Sequence, residues 1–164
     1  MKFPRCIAIL LLVPLVFIAG CNKRSPESTT AAKPPKHEHH PPHGGTPVVL
    51  GDEVYHVELA LDAPTGKLQA YVFDGELENF IRSSVPSFEI DAIVNGAPQA
   101  LVLNAVANLA TGETVGDSAL FETQADWLKT TTSFDATLKS ITIRGTTFAD
   151  VKFNFPKGND TDEK

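Results

Sequence analysis

Histidine is the residue with the clearest chemical capacity in this 164-residue chain, and all five copies lie between positions 37 and 56. Four fall in the run His37-Glu38-His39-His40-Pro41-Pro42-His43. Neutral imidazole is a favoured ligand for zinc, copper and nickel, and several on one segment can surround a single ion. Glu38 adds an oxygen donor, Pro41 and Pro42 stiffen the approach, and Gly44-Gly45 leave the backbone free to turn. The spacing matches no closed four-ligand zinc site, so the expectation is an open collar that takes divalent transition metal as His-rich tracts do. Two other readings stand beside it. The tract also reads as a polar linker in which the histidines are incidental, or as a charge patch that titrates near the imidazole pKa of about 6.5.

The fifth histidine, His56, stands two residues before Glu58 in an alternating run. At that spacing the two side chains share a strand face roughly 7 Å apart, so both reach one ion, or His56 anchors an ion over which the tract closes. The competing reading makes His56 an ordinary outward histidine set against Phe73. The metal-ligand candidates are therefore His37, His39, His40, His43, His56 and Glu58.

Catalytic signatures are lacking. No nucleophile elbow, phosphate loop, dinucleotide fingerprint or His-Glu-x-x-His helix occurs. A Ser-His-Asp triad would have to use His56, and Glu89 and Asp91 sit two apart on an outward strand face where solvated charge explains them. The chain reads as a non-enzyme. Its 14 basic and 20 acidic residues give a formal net charge of −6, which argues against a nucleic-acid partner, since that needs a basic face.

These candidates need a scaffold, and the chain is organised to give one. Lys2 and Arg5 precede an apolar run over residues 7–17, and Ile18-Ala19-Gly20-Cys21 places small residues before a cysteine. Charge, apolar length and cleavage site together read as a signal peptide over residues 1–20, too short to span a bilayer as a helix, with a plain signal peptide lacking lipidation or an uncleaved anchor as the competing readings. The ending resembles a bacterial lipobox, which implies that Cys21 is acylated and becomes the new N-terminus. Cys6 would leave with the leader, so the mature chain would hold neither a disulfide nor a free thiol, and thiolate chemistry is excluded. Loss of Lys2 and Arg5 takes the net charge to −8, so acyl chains rather than electrostatics must anchor the protein to a membrane. Residues 21–46 are polar and rich in Pro and His. They cannot bury enough surface to offset chain entropy and read as a disordered tether, with a reach of roughly 60–75 Å over its Pro-rich part if extended.

From residue 47 to 156 the pattern has period two. In residues 54–62, Tyr55, Val57, Leu59 and Leu61 take one face, and His56, Glu58, Ala60 and Asp62 the other. A turn at Ala63-Pro64-Thr65-Gly66 leads to a return strand. Aligning the apolar faces sets Asp62 opposite Lys67, Glu58 opposite Tyr71 and His56 opposite Phe73, all favourable cross-strand pairs. Further strands are expected at residues 87–94, 100–106, 119–122, 138–144 and 147–155. Asn95-Gly96 is a hairpin signal, and Pro98 suggests a loop longer than two residues. Residues 126–129 read as one helical turn carrying the only Trp. The fold class is all-β, an antiparallel β-sandwich or partly open barrel of about seven to eight strands, followed by a disordered tail over residues 157–164. The aromatics read as core or hairpin packing.

The segments His43-Gly44-Gly45-Thr46-Pro47-Val48-Val49-Leu50, Tyr55-His56-Val57-Glu58-Leu59 and Gly66-Lys67-Leu68-Gln69-Ala70-Tyr71-Val72-Phe73-Asp74-Gly75, with Phe134, Leu138 and Ile141-Thr142-Ile143-Arg144-Gly145 further on, resemble a pattern in uncharacterised bacterial envelope lipoproteins. Similar His-Gly-Gly openings occur in some periplasmic proteins near heavy-metal efflux systems. The resemblance implies a periplasm-facing β domain that is a candidate for metal handling, points to no known catalytic activity, and carries over only His43 and His56 as candidate ligands. The sole methionine is Met1, whereas a dedicated Cu(I) carrier is Met-rich, so the expected metals are zinc, Cu(II) or nickel. The functional expectation is a lipid-anchored envelope protein that binds divalent metal beside a transport protein. The alternative is a protein–protein interaction or structural β domain with the tract incidental.

Overall fold

The computed structural model describes residues 40–160. The leader, Cys21, the tether through residue 39 with His37 and His39, and the tail beyond residue 160 lie outside the described residues.

Eight antiparallel strands form one sheet: β1 (Thr46–Leu50), β2 (Tyr55–Asp62), β3 (Lys67–Asp74), β4 (Ser87–Val94), β5 (Ala97–Ala105), β6 (Leu120–Gln124), β7 (Phe134–Ile143) and β8 (Thr146–Phe155). Their spatial order is β1-β2-β3-β6-β5-β4-β7-β8. The fold class is all-β as expected, and of the two architectures it is the nearly closed barrel. Hydrogen bonds near the ends of the series draw β1 toward the end of β8. Thr46 Oγ1 donates to the Pro156 carbonyl at 3.2 Å. Asn159 accepts the Val49 N–H at 2.7 Å and donates to the Val49 carbonyl at 3.1 Å. The first residues of the polar tail thus help close the sheet.

Alternation drives the packing. Val48, Leu50, Val57, Leu59, Leu68, Ala70 and Val72 point into the barrel with Phe88, Ile90, Leu103, Phe121, Leu138 and Ile141. Removing such apolar area from water contributes about 25 cal/mol per Å². The hairpin β2–β3 has the expected register, with Asp62 opposite Lys67, Glu58 opposite Tyr71 and His56 opposite Phe73. The expected helical turn is a 3₁₀ turn at Asp126–Lys129, and Trp127 meets Phe134 edge to face at 5.3 Å.

The β4–β5 loop corrects the reading of Pro98. Val94 pairs with Ala97, so the loop is Asn95-Gly96 alone, with φ of 51° and 78° as a two-residue type I′ turn requires. Pro98 faces Ile93, one step beyond the hydrogen-bonded pair that flanks such a turn. Its missing N–H therefore points away from β4. On the other side β5 pairs with β6 only at Asn104 and Ala105, so the missing donor leaves no ladder bond unmade.

Candidate functional site

The site forms on the outer face of β2 and β3. In the barrel wall Val57 and Leu59 face inward, which turns His56 and Glu58 outward. Yet both are 0% exposed. The face is outward, with His56 opposite Phe73 as read from the sequence, but it is covered rather than open. Two segments without period-two patterning cover it, one before β1 and one after β3.

The second segment is set by Asp74. Its carboxylate accepts the N–H groups of Glu78 and Asn79 at 3.0 and 3.2 Å and the Asn79 side-chain amide at 2.7 Å. Burial pushes the Asp74 carboxyl up, but these donors outweigh it and hold the group below its ordinary value. The chain then turns back along the end of β3, with the Ile81 N–H bonded to the Val72 carbonyl at 2.9 Å. Phe80 is thereby set against Phe73, ring centres 4.6 Å apart. Phe73 and Leu77 are buried outside the main core, so this outer face holds a small apolar cluster of its own.

The first segment brings His43. The Gly44 N–H bonds the Pro41 carbonyl at 3.0 Å, and Gly44 takes a φ of +65°, where a Cβ is unfavourable. The turn lies directly over β2. A Cβ on Gly45 would stand 2.6 Å from the Leu59 carbonyl oxygen and 2.9 Å from Glu58 Cγ, so only glycine fits. Glu58 fastens the turn with both oxygens. Its Oε1 accepts the backbone N–H groups of His43 at 2.8 Å and Gly45 at 2.9 Å, and its Oε2 lies 2.7 Å from His43 Nδ1. A buried carboxylate is stable when its lone pairs meet fixed donors. The imidazole of His43 also stacks on Tyr71, with centres 3.7 Å apart and planes 8° from parallel.

The roles across this contact depend on the tautomer; an ionised carboxylate can only accept, which would place the proton on Nδ1 and, in a neutral ring, the lone pair on Nε2. The His43 side chain is 33% exposed, so the ring reaches solvent while its Nδ1 edge is tied to the buried Glu58. This is the arrangement by which a carboxylate orients a metal-binding histidine.

Of the other candidate ligands, His40 is exposed, three residues before His43. His56 is buried, with Nδ1 3.3 Å from the Asp74 carbonyl oxygen. The structure thus joins His43 to Glu58 and sets His56 on the same strand face. Among the described residues, no group of three or more His, Cys, Asp or Glu side chains is assembled to hold a metal ion.

Beside this stack lies a groove of about 370 Å³ lined by Tyr71, Phe80, Arg82, Asn108, Thr111 and Glu113 among others. Arg82 is braced by Asp117 at 2.9 Å and by the Thr111 carbonyl at 2.6 Å. Burial, then the negative charges of Glu122 and Glu58, push the Tyr71 phenol above its usual range.

Sequence reasoning missed the roles of Gly45 and Phe80. The signal for a covered face was present, since Tyr71 and Phe73 are two aromatics on the side of β3 opposite Leu68, Ala70 and Val72. No family model, curated protein or solved structure matches this chain.

Proposed function

We propose that the chain is an envelope lipoprotein, acylated at Cys21, whose His-rich segment holds a divalent transition metal against the outer wall of the barrel, beside a metal-transport or efflux protein. The observation that carries this reading is the 2.7 Å contact between His43 Nδ1 and Glu58, which presents Nε2 as a ligand at the end of a run of four histidines. In this reading His43 is the ligand fixed to the fold, and His37, His39 and His40 complete the coordination from the tract. Glu58 acts behind His43 because its oxygens are already engaged. Zinc, Cu(II) and nickel suit imidazole donors.

Calorimetric titration of Zn²⁺, Ni²⁺ and Cu²⁺ into the protein tests this, run beside His43→Ala and beside a variant with His37, His39 and His40 changed to Ala. The reading expects one dominant site that each variant weakens by tenfold or more. Equal binding by wild type and His43→Ala would reduce the tract to a sticky linker.

A second reading has its own observation. Phe80, Leu109 and Val115 are 57%, 97% and 62% exposed, and the groove lined by Phe80 is bordered by the loop that carries the other two. Exposed apolar side chains on a braced loop suit docking of a protein partner. Metal binding that ignores His43, together with partner capture that Leu109→Asp abolishes, would favour this alternative.

A further inference from the structure

We infer that Glu58 is a positioning residue that selects the Nδ1–H tautomer of His43 and so makes Nε2 the metal-binding atom. The inference rests on the metal reading above for its purpose and on the hydrogen-bond geometry for its mechanism. An imidazole free in water interchanges its tautomers, and a nitrogen that bears a proton cannot ligate a metal. Here one carboxylate meets three donors with its oxygens divided between them. Oε1 takes both backbone N–H groups, and Oε2 takes the ring alone.

That division makes the substitution Glu58→Gln informative. The amide must keep its oxygen against the His43 and Gly45 N–H groups, because the opposite orientation would press an NH₂ against two donors. The amide nitrogen therefore falls where Oε2 stood and donates to His43 Nδ1. The ring is then forced to carry its proton on Nε2. Shape, volume and the two backbone bonds are kept while the ligand atom is blocked. Tyr71 holds the ring plane in either case, since stacking is indifferent to the tautomer.

The test uses the full chain in detergent with ¹⁵N-labelled histidine, observed by NMR at a pH where imidazole is neutral, then titrated with Zn²⁺ alone. Wild-type His43 is expected to show a protonated Nδ1 and a bare Nε2, and Glu58→Gln the reverse. The zinc-induced shift at His43 Nε2 should require about 10- to 100-fold more metal in Glu58→Gln, the scale on which loss of a ligand's orienting partner acts. An Nε2–H tautomer in the wild type overturns the inference whether or not the variant folds. So does a variant that loses zinc affinity with its tautomer unchanged, since its effect would then be structural. If the tautomers exchange as expected but zinc never shifts His43, the tautomer selection holds and the metal reading fails.

Discussion

A carboxylate with no solvent exposure needs donors fixed in place, and Glu58 finds them in a turn that only glycine can make. Gly45 approaches so closely that a methyl group would meet the backbone of Leu59, which cannot move without breaking the sheet. Gly45→Ala is therefore expected to lower stability by roughly 1–3 kcal/mol, the usual cost of overpacking. The same change should also release His43 from Tyr71. Chemical denaturation gives the first quantity, and loss of ring-current shifts at His43 reports the second. His43 and Glu58 were both legible in the sequence as chemically capable residues. Their mutual bond was not, because period-two reasoning assigns the second face of β2 to water. What covers that face comes from residues 41–45 and 75–81, and neither segment has a periodicity that announces where it packs.

At the scale of elements, the hairpins were the most legible features because their signals are local. The pairing of β2 with β3 follows from aligning two apolar faces across one turn, and it sets Glu58 beside Tyr71 as expected. The β4–β5 turn was nearly as plain. Asn95-Gly96 alone specifies a two-residue loop, and Pro98 disguised it only because the direction of its missing N–H cannot be known before the sheet order. Asn95 and Gly96 both have positive φ, so changing both to Ala should cost about 1–2 kcal/mol per left-handed residue. Urea unfolding measures the loss, and an unchanged midpoint would mean that the loop tolerates another turn. The order of the strands was not legible. The insertion of β6 between β3 and β5 depends on long-range contacts that no short window of sequence contains.

For the molecule as a whole, the barrel carries two unequal clusters of buried side chains. The interior core stabilises the sheet, while the smaller outer cluster, where Phe73 meets Phe80 and Glu58 holds His43, joins the incoming chain to the wall. Metal held by His43 on that wall would favour the folded state. Metal held by the tract alone would bind folded and unfolded chains alike and shift nothing, because only differential affinity changes stability. The decisive measurement is therefore thermal unfolding with and without saturating Zn²⁺, in wild type and His43→Ala. If the fold adds a factor of ten in affinity, the gain is about 1.4 kcal/mol, and the wild-type midpoint should rise by roughly 6 °C for a folded domain of this size while that of His43→Ala stays in place. A wild-type midpoint unmoved by zinc that is demonstrably bound would contradict the account.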